Sequence, residues 1–373
     1  MAWTVPNFSR ERVNAAGEYV VASQEQRRLS SGEWKRYADS LEIVNNWRAS
    51  HSYPLNTFQM NLRRTGALFD PNALVAQRTK RLASIILKLR RFERMRLTQM
   101  QDLGGCRGIF QNVEIVDRVV DYYAHESSIK HELATKDDYI RSPKPSGYRG
   151  VHLVYRYESD SQSKHCYNGL KIEMQLRSKY QHAWATAVET VDLFSGQALK
   201  SSLGSDDWKR FFALMGSVIA MRERCPLVPN TPTNRSALIG ELWAFADRLN
   251  VEARLIEYGN ALLNLEQVAP AQDASMFLLR LDTNIGELSI TGYKSNEVEE
   301  AQKKYSEAEV WVAEHRGADA VLVSVDSIAA LKRAYPNYFA DTRVFLRLMK
   351  DAVSPFTRPA HGGRQNNLFS RRQ

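Results

Sequence analysis

Apolar positions along the chain alternate between stretches of helical and strand period. Over roughly the first seventy residues the pattern is polar and helical, with Trp34, Trp47 and Tyr53 as packing anchors. Asp70-Pro71 reads as a helix start, because aspartate caps well and proline suits the first turn. The helix predicted beyond it would bury Val75, Leu82, Ile85, Ile86, Leu89 and Phe92 and turn Lys80, Ser84 and Lys88 to its other face. A strand at 107–111, an amphipathic helix through Val116, Val120 and Tyr123, and strands near His131, Val151 and Ile172 follow. Helices at 180–194 and 208–224 close this unit. The pattern predicts an α+β fold, a mixed β-sheet flanked by helices.

Three prolines in CPLVPNTPTN interrupt helical spacing at 225–234. Beyond them the pattern predicts a long helix at 239–266, strands at 276–281 and 287–291, a charged helix, a strand at 320–325 and two further helices. That order predicts a small C-terminal α/β domain. The expected boundaries are 1–225, 226–358 and a basic, disordered tail at 359–373.

Composition narrows this modestly. With 43% hydrophobic and 25% charged residues the chain reads as an ordinary globular protein. It has no apolar run long enough to span a bilayer, and its N-terminus lacks the apolar core of a signal peptide, so no membrane partner and a cytoplasmic location are expected. Cys106, Cys166 and Cys225 are widely spaced and support neither a disulfide framework nor a cysteine zinc site. The net charge of +9 favours anionic partners. It clusters at 78–96, where Arg78, Lys80, Arg81, Lys88, Arg90, Arg91, Arg94 and Arg96 face only Glu93.

Within that cluster Arg78, Lys80, Ser84 and Lys88 could grip a polyphosphate, or form a solvated helix face. In DLGGCRG, Asp102 precedes a glycine pair and Arg107 as the chain enters a strand. A carboxylate there could hold Mg²⁺, which takes one or two protein carboxylates plus substrate phosphates; the alternative is a turn residue. In KIEMQLR a period of two turns Glu173, Gln175 and Arg177 to one face. That face lines a cleft or is the wet side of a sheet. The loop PKPSGYRG sets Lys144 and Arg149 around Gly147-Tyr148, and a turn at Gly147 could expose the Tyr148 ring for stacking on a base.

In order and spacing these segments resemble the synthetase domain of the RelA/SpoT alarmone family. The family places Arg, Lys, Ser and Lys on one helix, matched by Arg78, Lys80, Ser84 and Lys88 in RTKRLASIILK. Asp102 and Arg107 match its metal aspartate and following arginine. Asp138, Tyr139, Lys144, Gly147, Tyr148 and His152 match its acceptor loop, with Gly150 standing where that loop usually has serine. Glu173, Gln175 and Arg177 match its E-x-Q-x-R strand, with His182 and Trp184 following. The resemblance spans roughly 43–224.

It implies a nucleotidyltransferase-like synthetase that moves the β,γ-pyrophosphate of ATP onto a 3′-hydroxyl and releases AMP. Arg78, Lys80, Ser84, Lys88 and Arg107 would hold ATP. Asp102 and Glu173 would bind Mg²⁺, and Glu173 would also serve as the base. Lys144, Tyr148, His152, Gln175 and Arg177 would orient the acceptor. The arrangement is most similar to toxic small alarmone synthetases of the CapRel group, fused toxin–antitoxin proteins of phage defence. That implies a tRNA 3′-CCA acceptor, with GDP or GTP as the alternative, and a C-terminal domain that restrains the enzyme and senses a phage protein such as the major capsid protein. An inactive RNA-binding or phage-sensing module is the reading from another class. No hydrolase domain is read upstream, so this chain is not expected to reverse its own product. In YPNYF, Tyr335 and Tyr338 would dock in or beside the ATP pocket; ordinary helix packing is the alternative.

Overall fold

The structure is a computed structural model that describes residues 3–23, 30–126, 129–195, 205–260, 264–267, 274–315, 317–325 and 327–357. It opens with α1 (Arg10–Ser23), α2 (Ser31–Ser50) and α3 (Ser52–Phe69). A capping box starts α2: Ser30 Oγ accepts the Glu33 N–H, and the Glu33 carboxylate accepts the Ser30 N–H. Trp47 is buried and Tyr53 stacks on Tyr167 at 4.8 Å. Trp34 is not a core anchor: it is 58% exposed and meets Tyr37 edge-on.

Asp70 ends a helix instead of starting one. Its N–H closes the last turn of α3 on the Gly66 carbonyl, and its carboxylate accepts the Asn72 and Gln111 N–H groups. The residues after it form β1 (Leu74–Thr79), so the predicted helix is half strand. Both edges of β1 are paired, and Leu74 and Ala76 are buried on one face and Val75 on the other. Tertiary pairing outweighs a helical spacing that was only local. α4 (Leu82–Arg91) follows. The four basic-segment positions therefore do not share a helix: Arg78 is on β1, Lys80 in the turn, and Ser84 and Lys88 on α4.

The chain continues through β2 (Gly104–Phe110), α5 (Val113–Asp121), β3 (Glu132–Asp138), β4 (Val151–Arg156) and β5 (Lys171–Ser178). Next come α6 (Lys179–Ser195), α7 (Asp206–Glu223), α8 (Arg235–Arg248), α9 (Val251–Asn260) and β6 (Asn264–Gln267). The last elements are β7 (Met276–Asp282), β8 (Glu287–Tyr293), α10 (Val298–Glu314), β9 (Ala318–Ser324), α11 (Ile328–Ala334) and α12 (Arg343–Thr357). The long helix expected at 239–266 is two helices and a strand. Asn250 takes a φ of +47°, which asparagine tolerates and a helix does not, and 264–267 pair beside β8.

The nine strands form one mixed sheet in the order β3-β4-β5-β2-β1-β9-β7-β8-β6. β2 and β5 are parallel, as are β6 and β8. The C-terminal strands extend the sheet through β1 and β9, where Gln77 faces Ser324 and Arg78 faces Val323. One face buries Phe58, Leu62, Val116, Ile172 and Met174 beneath α3 and α5. On the other face α6, α7, α8 and α12 build a second core around Trp208, Phe211, Phe212 and Phe345. α11 and the turn after it cover the same face, with Leu331, Tyr335 and Tyr338 against Leu74, Ala76 and Ile109. No described helix is long and apolar enough to cross a membrane. The tail at 359–373 lies outside the described residues.

Candidate functional site

Parallel pairing of β2 with β5 sets the register of the polar face. Gly105 lies opposite Glu173, Arg107 opposite Gln175, and His152 of β4 flanks Gln175 from the other side. Alternation along β5 buries Ile172, Met174 and Leu176 on the far face, which leaves Glu173, Gln175 and Arg177 together here. They form one hydrogen-bonded chain. Arg177 Nη2 donates to Gln175 Oε1 at 3.1 Å, and Gln175 Nε2 donates to Glu173 Oε2 at 2.7 Å. His152 Nδ1 donates to Glu173 Oε1 at 2.8 Å, and Tyr148 O–H donates to His152 Nε2 at 2.6 Å. The partners fix the histidine tautomer, since a carboxylate only accepts. Burial works against the Glu173 charge and the nearby Asp102 adds to that, but the hydrogen bonds from His152 and then Gln175 outweigh both. The carboxyl is held below its ordinary value.

Asp102 lies just ahead of β2, beside Glu173 in charge though on a different strand connection. Its two oxygens are taken by Lys80 Nζ at 2.6 Å and Lys88 Nζ at 3.0 Å. Burial again opposes the charge, and the two ammonium groups more than offset it, so this carboxyl too is lowered. The turn that carries Lys80 is fixed by its N–H on the Leu103 carbonyl at 2.8 Å. Ser84 is half-buried one turn ahead of Lys88 on α4. Two carboxylates with lysines as present counter-charges suit a hard divalent cation, which needs few protein oxygens when phosphates supply the rest. Asp102 and Glu173 would hold Mg²⁺.

The loop around Gly147 is clamped by the helical layer. Gly147 adopts a φ of +93°, and a Cβ there would sit 2.6 Å from the Phe212 carbonyl oxygen and 3.0 Å from Trp184 Cζ2. Trp184 Nε1 donates to that same carbonyl at 2.8 Å. Tyr148 is accordingly not exposed by the turn as expected: it is half-buried, its hydroxyl bound to His152 and its ring edge-on to Trp184 at 6.3 Å. Lys144 Nζ stands 4.0 Å from the Tyr139 ring centroid and 5.4 Å from that of Tyr148. Arg149 is buried and donates to the Ile140 carbonyl at 2.9 Å and to the Pro226 carbonyl, a structural tie. Gly147→Ala should destabilise the protein by about 2–3 kcal/mol, from left-handed strain plus the clash. Chemical denaturation with unchanged m-value and a lowered midpoint would show it; an unchanged midpoint would contradict the clamp.

Around Arg107 the site gathers cationic groups, with Glu189 as a nearby counter-charge to Arg107 and His182. Burial, and then the Arg177 charge, bring the Arg107 guanidinium down to about 10. Burial, with Arg177 and Arg107 adding, pushes His182 well below its ordinary value. Arg107 Nε, Arg177 Nε and His182 Nδ1 are buried without a hydrogen-bond partner among the described residues. The C-terminal stretch lies over them. The Tyr335 ring centroid is 5.8 Å from Arg107 Cζ, and His182 Nε2 lies 3.1 Å from the Arg333 carbonyl. Tyr335 is 3% exposed, and Tyr338, fully buried, donates to Asp319 at 2.8 Å.

The structure thus brings together Asp102, Lys80 and Lys88, and separately joins Glu173, Gln175, Arg177, His152 and Tyr148. It also pairs Arg81 of the basic cluster with Asp319, and Arg48 with Glu309, partners that sequence reading passed over. Their pairings span more than two hundred residues of chain, so no local pattern marks them.

Residues 77–192 match the family model described as the region found in RelA / SpoT proteins. The chain is 32% identical over 121 residues to "GTP pyrophosphokinase YjbM" of Bacillus subtilis (strain 168), covering 31% of this chain and 54% of that protein. It is 27% identical over 122 residues to "GTP pyrophosphokinase YwaC" of the same organism, covering 31% and 56%. The chain therefore spans about half the length of the curated relatives it matches. Among solved structures, a GTP pyrophosphokinase family protein from Streptococcus pneumoniae aligns with a TM-score of 0.39 and 22% identity, covering 52% of this chain and 91% of that one.

Proposed function

We propose that the chain is an ATP-dependent pyrophosphokinase that transfers the β,γ-pyrophosphate of ATP to a nucleotide 3′-hydroxyl. The observation that carries this reading is the hydrogen-bonded chain from Tyr148 through His152 to Glu173, facing Asp102 with its two lysines. Arg78, Lys80, Lys88 and Arg107 take the ATP anion, and Ser84 lies beside them on α4. Mg²⁺, when bound by Asp102 and Glu173, neutralises charge on the transferring group. His152 and Gln175 hold the Glu173 carboxylate in one orientation, so that its free lone pairs accept the proton of the attacking hydroxyl. Tyr148, Lys144 and Arg177 position the acceptor. Phosphoryl-type transfer depends mainly on such positioning and charge neutralisation.

For the acceptor we propose the 3′-CCA end of tRNA. The exposed run of Arg90, Arg91, Arg94 and Arg96 beside Lys88 supports a long polyanion over a mononucleotide. A second reading, GDP or GTP as acceptor, is favoured by the names of the relatives. Pyrophosphorylated tRNA would block translation, which makes the catalytic unit (1–225) a toxin and the C-terminal unit (226–358) its restraint, released by a phage protein such as a major capsid protein. The position of Tyr335 over Arg107 supports that restraint. Incubation with ATP labelled at the β-phosphate and either deacylated tRNA, GDP or GTP, with and without a candidate activator, tests the proposal. Label in tRNA is expected. Label in guanosine nucleotides alone would select the second reading, and no AMP under any condition would remove both.

A further inference from the structure

Two carboxylates from the C-terminal stretch sit on the basic segment that leads into α4. Glu309 of α10 accepts the Leu82 N–H at 2.8 Å and Arg48 Nη1 at 2.7 Å on one oxygen, while its other oxygen lies 2.6 Å from Arg48 Nη2. Leu82 is the first residue of α4, so Glu309 fills the helix N-terminus, where unpaired N–H groups favour an anion. Arg81, at the cap position, supplies no side-chain bond to that terminus. Arg48 and Glu309 are 5% and 9% exposed. On the other face of the sheet, Asp319 of β9 takes Arg81 Nη1 with both oxygens, at 2.5 and 2.6 Å, and accepts the Tyr338 hydroxyl.

Buried ion pairs of this kind offer little stability over apolar residues of the same size, because desolvation offsets the attraction. Their placement therefore calls for another reason. Arg48, Arg81 and the α4 terminus flank Lys80 and Arg78, and a set of cations kept for an anion needs a counter-charge when that anion is absent. Both counter-charges come from the stretch that also lays Tyr335 over Arg107.

We propose that Glu309 and Asp319 form an anionic latch, standing in at the α4 N-terminus and at Arg81 for the phosphates of a bound polyphosphate. The latch rests on the reading of 78–88 as a polyphosphate site. Polyphosphate and the C-terminal stretch then compete for the same cations, so each weakens the other by the same factor. The latch differs from the Tyr335 contact: it responds to phosphate alone, without a base.

Inorganic tripolyphosphate is the probe, used with the full chain and with Glu309→Gln and Asp319→Asn, which keep shape and lose charge. Binding is read by calorimetry, and opening by hydrogen exchange in α10, α11 and β9. Tripolyphosphate should speed exchange of these elements in the wild-type chain. Each variant should bind it about tenfold more tightly, because more of the population is already open, with exchange in α3 and α5 unchanged. Should Glu309→Gln leave Arg48 unpaired and lose the fold, Asp319→Asn decides alone. Unchanged affinity and unchanged exchange in a folded variant overturn the latch. AMP release from ATP is followed separately. Variant-dependent binding without AMP refutes only the pyrophosphokinase reading, and AMP release with variant-independent binding and exchange refutes only the latch.

Discussion

Glu173→Gln should lower AMP release from ATP by about 10²–10⁴-fold, the span that a positioned general base contributes. The argument rests on how the carboxylate is held. It is 9% exposed, receives His152 on one oxygen and Gln175 on the other, and is kept ionised against its burial. An amide of the same shape still accepts from His152 but turns its NH₂ toward Gln175, which must rotate to answer it. The proton-accepting charge is gone while the strand remains paired on both sides. Removing a buried charge that lacks a cation of its own also relieves desolvation, so the melting temperature should fall by no more than a few degrees. Single-turnover AMP formation, with melting followed in parallel, checks both points. AMP formation within about threefold of the wild-type rate would remove Glu173 from the chemistry, because the loss asked for is far larger.

Much of this half of the site was legible from one strand of sequence. KIEMQLR has a period of two and a buried far face, so the direction of Glu173, Gln175 and Arg177 follows from alternation alone. The basic segment was harder, because Val75, Leu82, Ile85, Ile86 and Leu89 recur at helical spacing across a strand–turn–helix boundary. What decides for β1 is pairing with β2 and β9, and the β9 partner is far along the chain. Gly147 was legible as a turn, but the cover that half-buries Tyr148 comes from Trp184 and Phe212 on α6 and α7. Asn250 shows the reverse: a single left-handed residue ended a helix that apolar spacing alone continued. The counter-charges Glu309 and Asp319 look like ordinary polar residues of an amphipathic helix and a strand end. Their roles exist only through the extension of the sheet past β1.

Tyr335→Ala should raise basal AMP release by about tenfold or more, because the tyrosine ring is part of the cover over Arg107. Burial makes the ring a large contributor to docking: it is 3% exposed in a cluster with Leu331, Ala334 and Tyr338. Truncating a buried aromatic to alanine costs about 3–5 kcal/mol. That cost falls on the docked arrangement of α11, since β2, β4 and β5 keep their own core beneath α3 and α5 on the opposite face. Where the docked arrangement is the main population, about 1.4 kcal/mol of that cost multiplies the undocked population about tenfold. Removing the ring also takes away the cation–π partner of a guanidinium that already feels burial and the Arg177 charge, which leaves Arg107 ready for an anionic ligand. Tyr335→Phe separates ring from hydroxyl. The hydroxyl makes a 3.5 Å contact to the Gln77 carbonyl, too long to matter much, so this variant should match the wild-type chain. Steady-state AMP release from ATP with tRNA as acceptor, measured for both variants beside their melting curves, decides the matter. Equal basal activity for wild type, Tyr335→Ala and Tyr335→Phe, all folded, would reduce the YPNYF turn to packing between α11 and α12.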